Sequence, residues 1–347
     1  MNHVRRSKVR TAVGLLVLFL GVIGWFSFLS RSFGHIVDLA RQPDPPVYWL
    51  NDWHVYYAGA RDFLERDLYL TPLTLHGWPL PTPVFNQMPG AALIAIPLLP
   101  LGREFGGLVW LVLGVVSLAV AAVTAVYLAG IGRVAAWSGA LLAIYTGVYF
   151  FVGHVTLGNV NHILLAMVAA FAVAHLRGRQ RIAGILLGAA IVIKAWPVML
   201  VPLLLRERRV QELAWAIATV VACGFVTFVW LGWSVVPDAV AALTTQIPVP
   251  SGSRVLWTTW AREVAGLPSW LPPFGAILLA IVPAKGRLGI GLGVIAGLTL
   301  VSNLWDHYLA TFVFALLLIV ADVAQLVNVR RLPTFSNRIP PQTASSP

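Results

Sequence analysis

The chain has 347 residues, 59% of them hydrophobic and only 11% charged, with a mean hydropathy of +0.82. Soluble globular chains are about 45–50% apolar and about 25% charged, so a soluble enzyme, a disordered chain and a nucleic-acid binder are all poor fits. The formal charge of +11 reads instead as cytoplasmic basic loops, and a lone cysteine, Cys223, excludes an intramolecular disulfide or a cysteine metal cluster.

In chain order, Thr11–Ser30 is the first candidate membrane span, preceded by Arg5, Arg6, Lys8 and Arg10. Its apolar run is too long for a signal peptide, so it reads as a retained helix starting inside. The following stretch mixes Arg31, Arg41, Arg61 and Arg66 with Asp38, Asp44, Asp52, Asp62, Glu65 and Asp67, as expected of an outer loop. Within it, Trp53, Tyr56, Tyr57, Ala60, Phe63 and Leu64 fall at helical spacing, predicting an amphipathic helix on the outer membrane surface. Pro89–Leu101 is too short to cross and reads as an interfacial or re-entrant helix. Placing the later basic clusters inside predicts spans at Gly106–Gly130, Val134–Val152, Asn161–Leu176, Leu213–Trp233, Trp270–Pro283, Leu288–Leu304 and Tyr308–Val327.

Ile182–Leu205 is one span long, yet Arg177, Arg179 and Arg181 flank it on one side and Arg206, Arg208 and Arg209 on the other. A single crossing would put one cluster outside. A hairpin of two short helices resolves this, with Lys194 and Pro197 near its tip. Broken backbone at membrane depth is tolerated only inside protein or beside a wet cavity, so the hairpin is expected to be internal and Lys194 to face a polar cavity. The predicted fold class is an all-α polytopic membrane protein with about ten membrane segments, the short hairpin and the amphipathic outer helix included. It forms one transmembrane domain over residues 1–329, with outer loops at 31–88 and 234–269 and a disordered cytoplasmic tail at 330–347. The N-terminus is also cytoplasmic in this scheme.

The chain contains no GxxxxGK[ST] phosphate loop and no HExxH zinc pair. Gly291, Gly293 and Ala296 match a loose GxGxxA pattern, but inside an apolar helix with no preceding strand. The Gly184/Gly188 and Gly293/Gly297 pairs read as sites of close helix packing. Under the topology above, Asp52, His54, Asn159, Asn161, His162, Asp306 and His307 gather on the outer face, and Lys194 points there from the hairpin. Ionisable groups at membrane depth are costly and indicate function. Each also has a plain structural reading: Asp52 as a helix N-cap, Lys194 paired with a helix-end carbonyl, the asparagines bonded between helices.

Four stretches together resemble a GT-C glycosyltransferase of bacterial glycosyltransferase family 87, the polyprenol-phosphate-mannose-dependent mannosyltransferases. Asn51–Leu70, NDWHVYYAGARDFLERDLYL, resembles the first outer loop, with its Asp and Y-x-A. Val84–Leu101 resembles the proline segment before the second span, although FNQMP stands where a Y-P-P run is usual. Gly158–Arg209 resembles the G-Q-x-N to K-x-x-P run, with Asn159 in place of Gln. Ser302–Tyr308, SNLWDHY, resembles the W-x-H element.

The resemblance implies a GT-C-like transmembrane domain and an inverting transferase at the plasma membrane, with its active site on the extracytoplasmic face. It moves a sugar, mannose by analogy, from a polyprenyl-phosphate donor to an envelope glycan or glycolipid. The lipid-linked sugar is then a substrate, and no cofactor or metal is expected. Asp52 matches the catalytic base. Lys194, His307 and Arg254 are candidates for the donor phosphate, and His54, Tyr57, Asn159, Asn161, His162 and Asp306 for substrate contacts. The expected partners are donor, acceptor and lipid bilayer, with no nucleic acid. A polytopic transporter or lipid-linked sugar flippase is the alternative, but it predicts an internal repeat and polar groups near the midplane, and neither is found in the sequence.

Overall fold

The computed structural model describes residues 50–70, 85, 87–129, 158–244, 271–300 and 308–330. The predicted spans at Thr11–Ser30 and Val134–Val152, most of the second outer loop and the tail lie outside the described residues. Every regular element among the described residues is helical. They are α1 (Asn51–Glu65), α2 (Pro89–Leu93), a 3-10 segment (Ile96–Leu101), α3 (Gly102–Leu128), α4 (Asn161–Leu176), α5 (Gln180–Ile193), a second 3-10 segment (Trp196–Leu200), α6 (Val201–Arg206), α7 (Val210–Leu231), α8 (Val235–Thr244), α9 (Leu271–Ile281), α10 (Gly286–Leu300) and α11 (Leu309–Arg330).

Two helical runs, Pro89–Leu128 and Val210–Leu231, are long and apolar enough to cross a membrane. The first is interrupted by the 3-10 turn where Pro97 and Pro100 cannot donate helix bonds, so its Pro89–Leu101 part is a separate short piece, as its length predicts. On α7, Val221, Phe225 and Val229 are exposed. An apolar helix open to its surroundings suits a lipid-facing element.

The chain from Gln180 to Arg206 is a helical hairpin. A β-carbon on Gly184 would collide with Glu212 and Trp215, and one on Gly188 would lie 2.5 Å from the Ala216 carbonyl oxygen. Partner numbers rise together, so α5 and α7 run parallel. Parallel neighbours need a return segment between them, and the second 3-10 segment with α6 supplies it. That return runs antiparallel to α10: Gly289 meets Leu203, Gly293 meets Leu200 and Gly297 meets Trp196. These glycines let backbones approach where lipid offers no hydrophobic drive for helix association. The break falls at Lys194, whose backbone is extended (φ −146°, ψ 141°). Pro197 follows it at the start of the 3-10 turn.

The two basic flanks of the hairpin come to one end of the bundle. His175, near the end of α4, lies 3.2 Å from Glu207 and 2.7 Å from Glu212. Arg206 donates to the carbonyls of Ala280 and Ala284 at 2.7 and 2.8 Å, and Glu207 accepts from the Gly286 amide at 2.7 Å. Arg287 donates to Asp322 and to the Leu128 carbonyl, each at 2.8 Å, and Arg177 donates to the Tyr127 hydroxyl at 3.0 Å.

One expectation needs correction. The outer helix α1 does not lie on a surface with one face bare. Trp53, Val55, Tyr56, Ala58, Ala60, Asp62 and Phe63 are all buried, because α2, the first 3-10 segment and α3 enclose it. Among the helix residues whose burial is described, Arg61, Leu64 and Glu65 are the exposed ones. The stretch expected as a second outer loop, 234–269, begins with helix α8, Val235–Thr244. Its 10 residues are too few to cross a membrane.

Candidate functional site

The site is built on the first turn of α1. Its N-cap is Leu50, in a left-handed conformation (φ 50°) with no side-chain capping bond. The N-cap role weighed for Asp52 therefore falls to another residue, and Asp52 sits one position inside the helix. A carboxylate there is favoured by the helix dipole. Asp52 accepts a hydrogen bond from Asn159 Nδ2 at 2.6 Å, across 107 residues of sequence.

The turn before α4 holds Asn159 in place. Gly158 is left-handed (φ 71°), and a β-carbon there would lie 2.9 Å from Trp53 Cβ, so glycine is required twice over. Its carbonyl accepts from Trp110 Nε1 at 2.6 Å. Asn159 Oδ1 accepts from the Asn161 backbone amide at 2.9 Å, and the Val160 amide donates to the Tyr56 hydroxyl at 3.4 Å. Three consecutive residues, 158 to 160, thus touch Trp53, Asp52 and Tyr56. Trp53 is anchored in turn, donating from Nε1 to the Arg103 carbonyl at 2.7 Å.

Lys194 reaches the same region from the hairpin tip. Its Nζ donates to the Tyr308 hydroxyl at 3.2 Å and lies 5.2 Å from the centre of that ring. The helix-end carbonyl considered for Lys194 is thus replaced by a phenol at the start of α11. Tyr56 lies one turn after Asp52 on α1 and is buried. Burial pushes its phenol well above the ordinary tyrosine range, and the nearby Asp52 charge and Tyr308 push the same way, while the Val160 amide opposes them. Tyr56 therefore stays a neutral hydroxyl within electrostatic reach of both Asp52 and Tyr308.

The other sequence candidates divide. His54 is half-buried on α1, and burial, reinforced by the Arg103 charge and opposed by Glu104, lowers its pKa to about 4, leaving it neutral at pH 7. Tyr57 packs against Trp53 with ring centres 5.7 Å apart and the planes tilted by 57°, and it is partly exposed. Asn161 and His162 are both buried. Among the described residues the Asn161 amide oxygen and nitrogen have no hydrogen-bond partner, an arrangement that costs free energy unless a ligand supplies one. Arg254, Asp306 and His307 lie outside the described residues. The structure adds Tyr56, Tyr308 and Gly158 to the site. Tyr56 was read only as one of a helix's apolar positions, and no periodic signal separates a buried phenol beside a carboxylate from an ordinary core aromatic.

An acid held by a buried amide, together with a lysine bonded to a phenol, suits a reaction that moves a proton from a hydroxyl near an anionic group. No curated protein and no solved structure matches the chain. The model of one family, glycosyltransferase family 87, matches residues 88–327. That is more than half of the chain, and the chain therefore belongs to glycosyltransferase family 87 and is a glycosyltransferase.

Proposed function

We propose that the chain transfers a sugar, mannose, from polyprenyl phosphate to an envelope glycan or glycolipid at the extracytoplasmic face of the plasma membrane, with inversion at the anomeric carbon. The observations that support this reading are Asp52 held by Asn159 at 2.6 Å and Lys194 bonded to Tyr308 at 3.2 Å, which supply one acid and one amine. A lipid-phosphate sugar brings its own leaving group, so the protein needs one base and one source of positive charge. The acceptor oxygen attacks the anomeric carbon as the bond from that carbon to the phosphate oxygen breaks. The bonding pair leaves on polyprenyl phosphate, and the acceptor's proton passes to the Asp52 carboxylate. Lys194 stabilises the phosphate as its charge grows.

In this reading His307 and Arg254 are further phosphate ligands. His54, Tyr57, Asn161, His162 and Asp306 contact donor sugar or acceptor. The lipid-linked sugar is itself a substrate, and no cofactor takes part. The gathering of Arg177, Arg206 and Arg287 at the opposite end supports a cytoplasmic orientation for that end.

The test is a transfer assay on purified protein in lipid, offering several polyprenyl-phosphate sugars, with wild type and Asp52→Asn side by side. The expected result is product from the mannosyl donor, and a loss of at least about 10²–10⁴-fold in Asp52→Asn, the usual contribution of a general base. Transfer from a nucleotide sugar alone would overturn the donor assignment. Asp52→Asn keeping more than about a tenth of turnover would overturn the base.

A further inference from the structure

We propose that Asn159 is a positioning residue, which holds the Asp52 carboxylate through a clasp formed by Gly158, Asn159 and Val160 on the first turn of α1. The inference rests on the reading of Asp52 as the base. It replaces the expectation that Asn159 contacts substrate.

The two polar atoms of the Asn159 amide are both committed within the protein. Oδ1 accepts from the Asn161 backbone amide at 2.9 Å, and Nδ2 donates to Asp52 Oδ2 at 2.6 Å. The first bond fixes which way the amide faces, since a backbone N–H can bond only to its oxygen end. The nitrogen is then obliged to point at α1. The second bond is short, as expected of a donor to an ionised carboxylate. Asn159 is 7% exposed, so little of it remains for a sugar to touch.

The flanking residues make the clasp stiff. Gly158 packs on Trp53 so closely that a β-carbon would not fit, and Trp110 holds its carbonyl at 2.6 Å. Val160 closes the other side on Tyr56. Asp52 lies in α1, and α4 begins at Asn161, so the clasp sets the relation of two elements that are distant in sequence. A base must be held within a fraction of an ångström of its productive geometry. The clasp provides that constraint without contacting the reacting atoms.

The experiment measures kcat, both KM values and the pH–rate profile of Asn159→Ala and Asn159→Asp beside Asp52→Asn, with thermal unfolding of each in detergent. Asn159→Ala is expected to lower kcat about 100-fold, the cost of a small misplacement, while donor and acceptor KM change less than about threefold. The acidic limb of its profile should move to higher pH, because the carboxylate loses a donor that favours its charged form. Asn159→Asp keeps the size and should move the limb further, since two carboxylates then share one site. If Asn159→Ala fails to fold, the limb of Asn159→Asp decides. A loss confined to KM would make Asn159 a substrate ligand and overturn the proposal, as would an unmoved kcat and limb. Full turnover in Asp52→Asn would sink the base itself, a separate failure.

Discussion

The two ends of the helix bundle use polar residues in opposite ways. At the basic end, charges close on one another or on helix-end carbonyls. His175, fully buried, lies between Glu207 and Glu212; Arg206 spans two carbonyls; and Arg287 joins Asp322 to the end of α3. At the other end Asn159 donates to Asp52 and Lys194 to Tyr308, and the buried Asn161 amide has no hydrogen-bond partner among the described residues. Buried polar groups that satisfy each other hold helices together, whereas groups left under-satisfied carry a cost that a ligand can relieve. The first end ties the hairpin to its neighbours, and the second carries the residues proposed to act.

That contrast can be broken by mutation. The largest stability effect is expected from His175→Leu, which leaves Glu207 and Glu212 facing each other in the interior. Leaving a buried acceptor without its partner costs about 1–3 kcal/mol, more for a charged group, so the melting temperature in detergent should fall while turnover per folded molecule stays near wild type. A selective loss of turnover with unchanged melting would erase the distinction between the ends. Lys194→Met should do the converse. Its melting temperature should change little, while donor affinity falls about 10–100-fold, as for one charged hydrogen bond of about 1.5–3 kcal/mol. Equilibrium binding of the lipid-linked donor measures it, and unchanged affinity would return Lys194 to a structural role.

The smallest effect concerns pH. The pKa of His54 is about 4 in the fold against 6.5 in an exposed chain. The unfolded chain therefore takes up a proton first as pH falls. The stabilisation from keeping His54 neutral is complete above about pH 6.5, declines through the interval down to about 4 and is gone below it. Melting temperature measured across that range should drop less steeply in His54→Gln. Identical slopes would mean that His54 is as solvated as in the unfolded chain.

Composition and charge order were enough to read an all-helical chain, the positions of most helices and the hairpin. Lys194, Gly184 and the two arginine clusters carry that information locally: an ammonium and proline break a helix, and basic flanks demand the same side. Asp52 and Lys194 also stood out one by one, because charge in apolar surroundings is conspicuous. Other features depended on tertiary contacts alone. Asn159 meets Asp52 across 107 residues, and Lys194 meets Tyr308 across 114. No periodicity records which side chain an amide faces after folding, so the bond from Asn159 to Asp52 could not be read from the sequence, and Tyr56 read as plain core. The burial of α1 was hidden for the same reason. Its amphipathic pattern marks one apolar face, but the packing of α2 and α3 around it decides how much of the rest is enclosed.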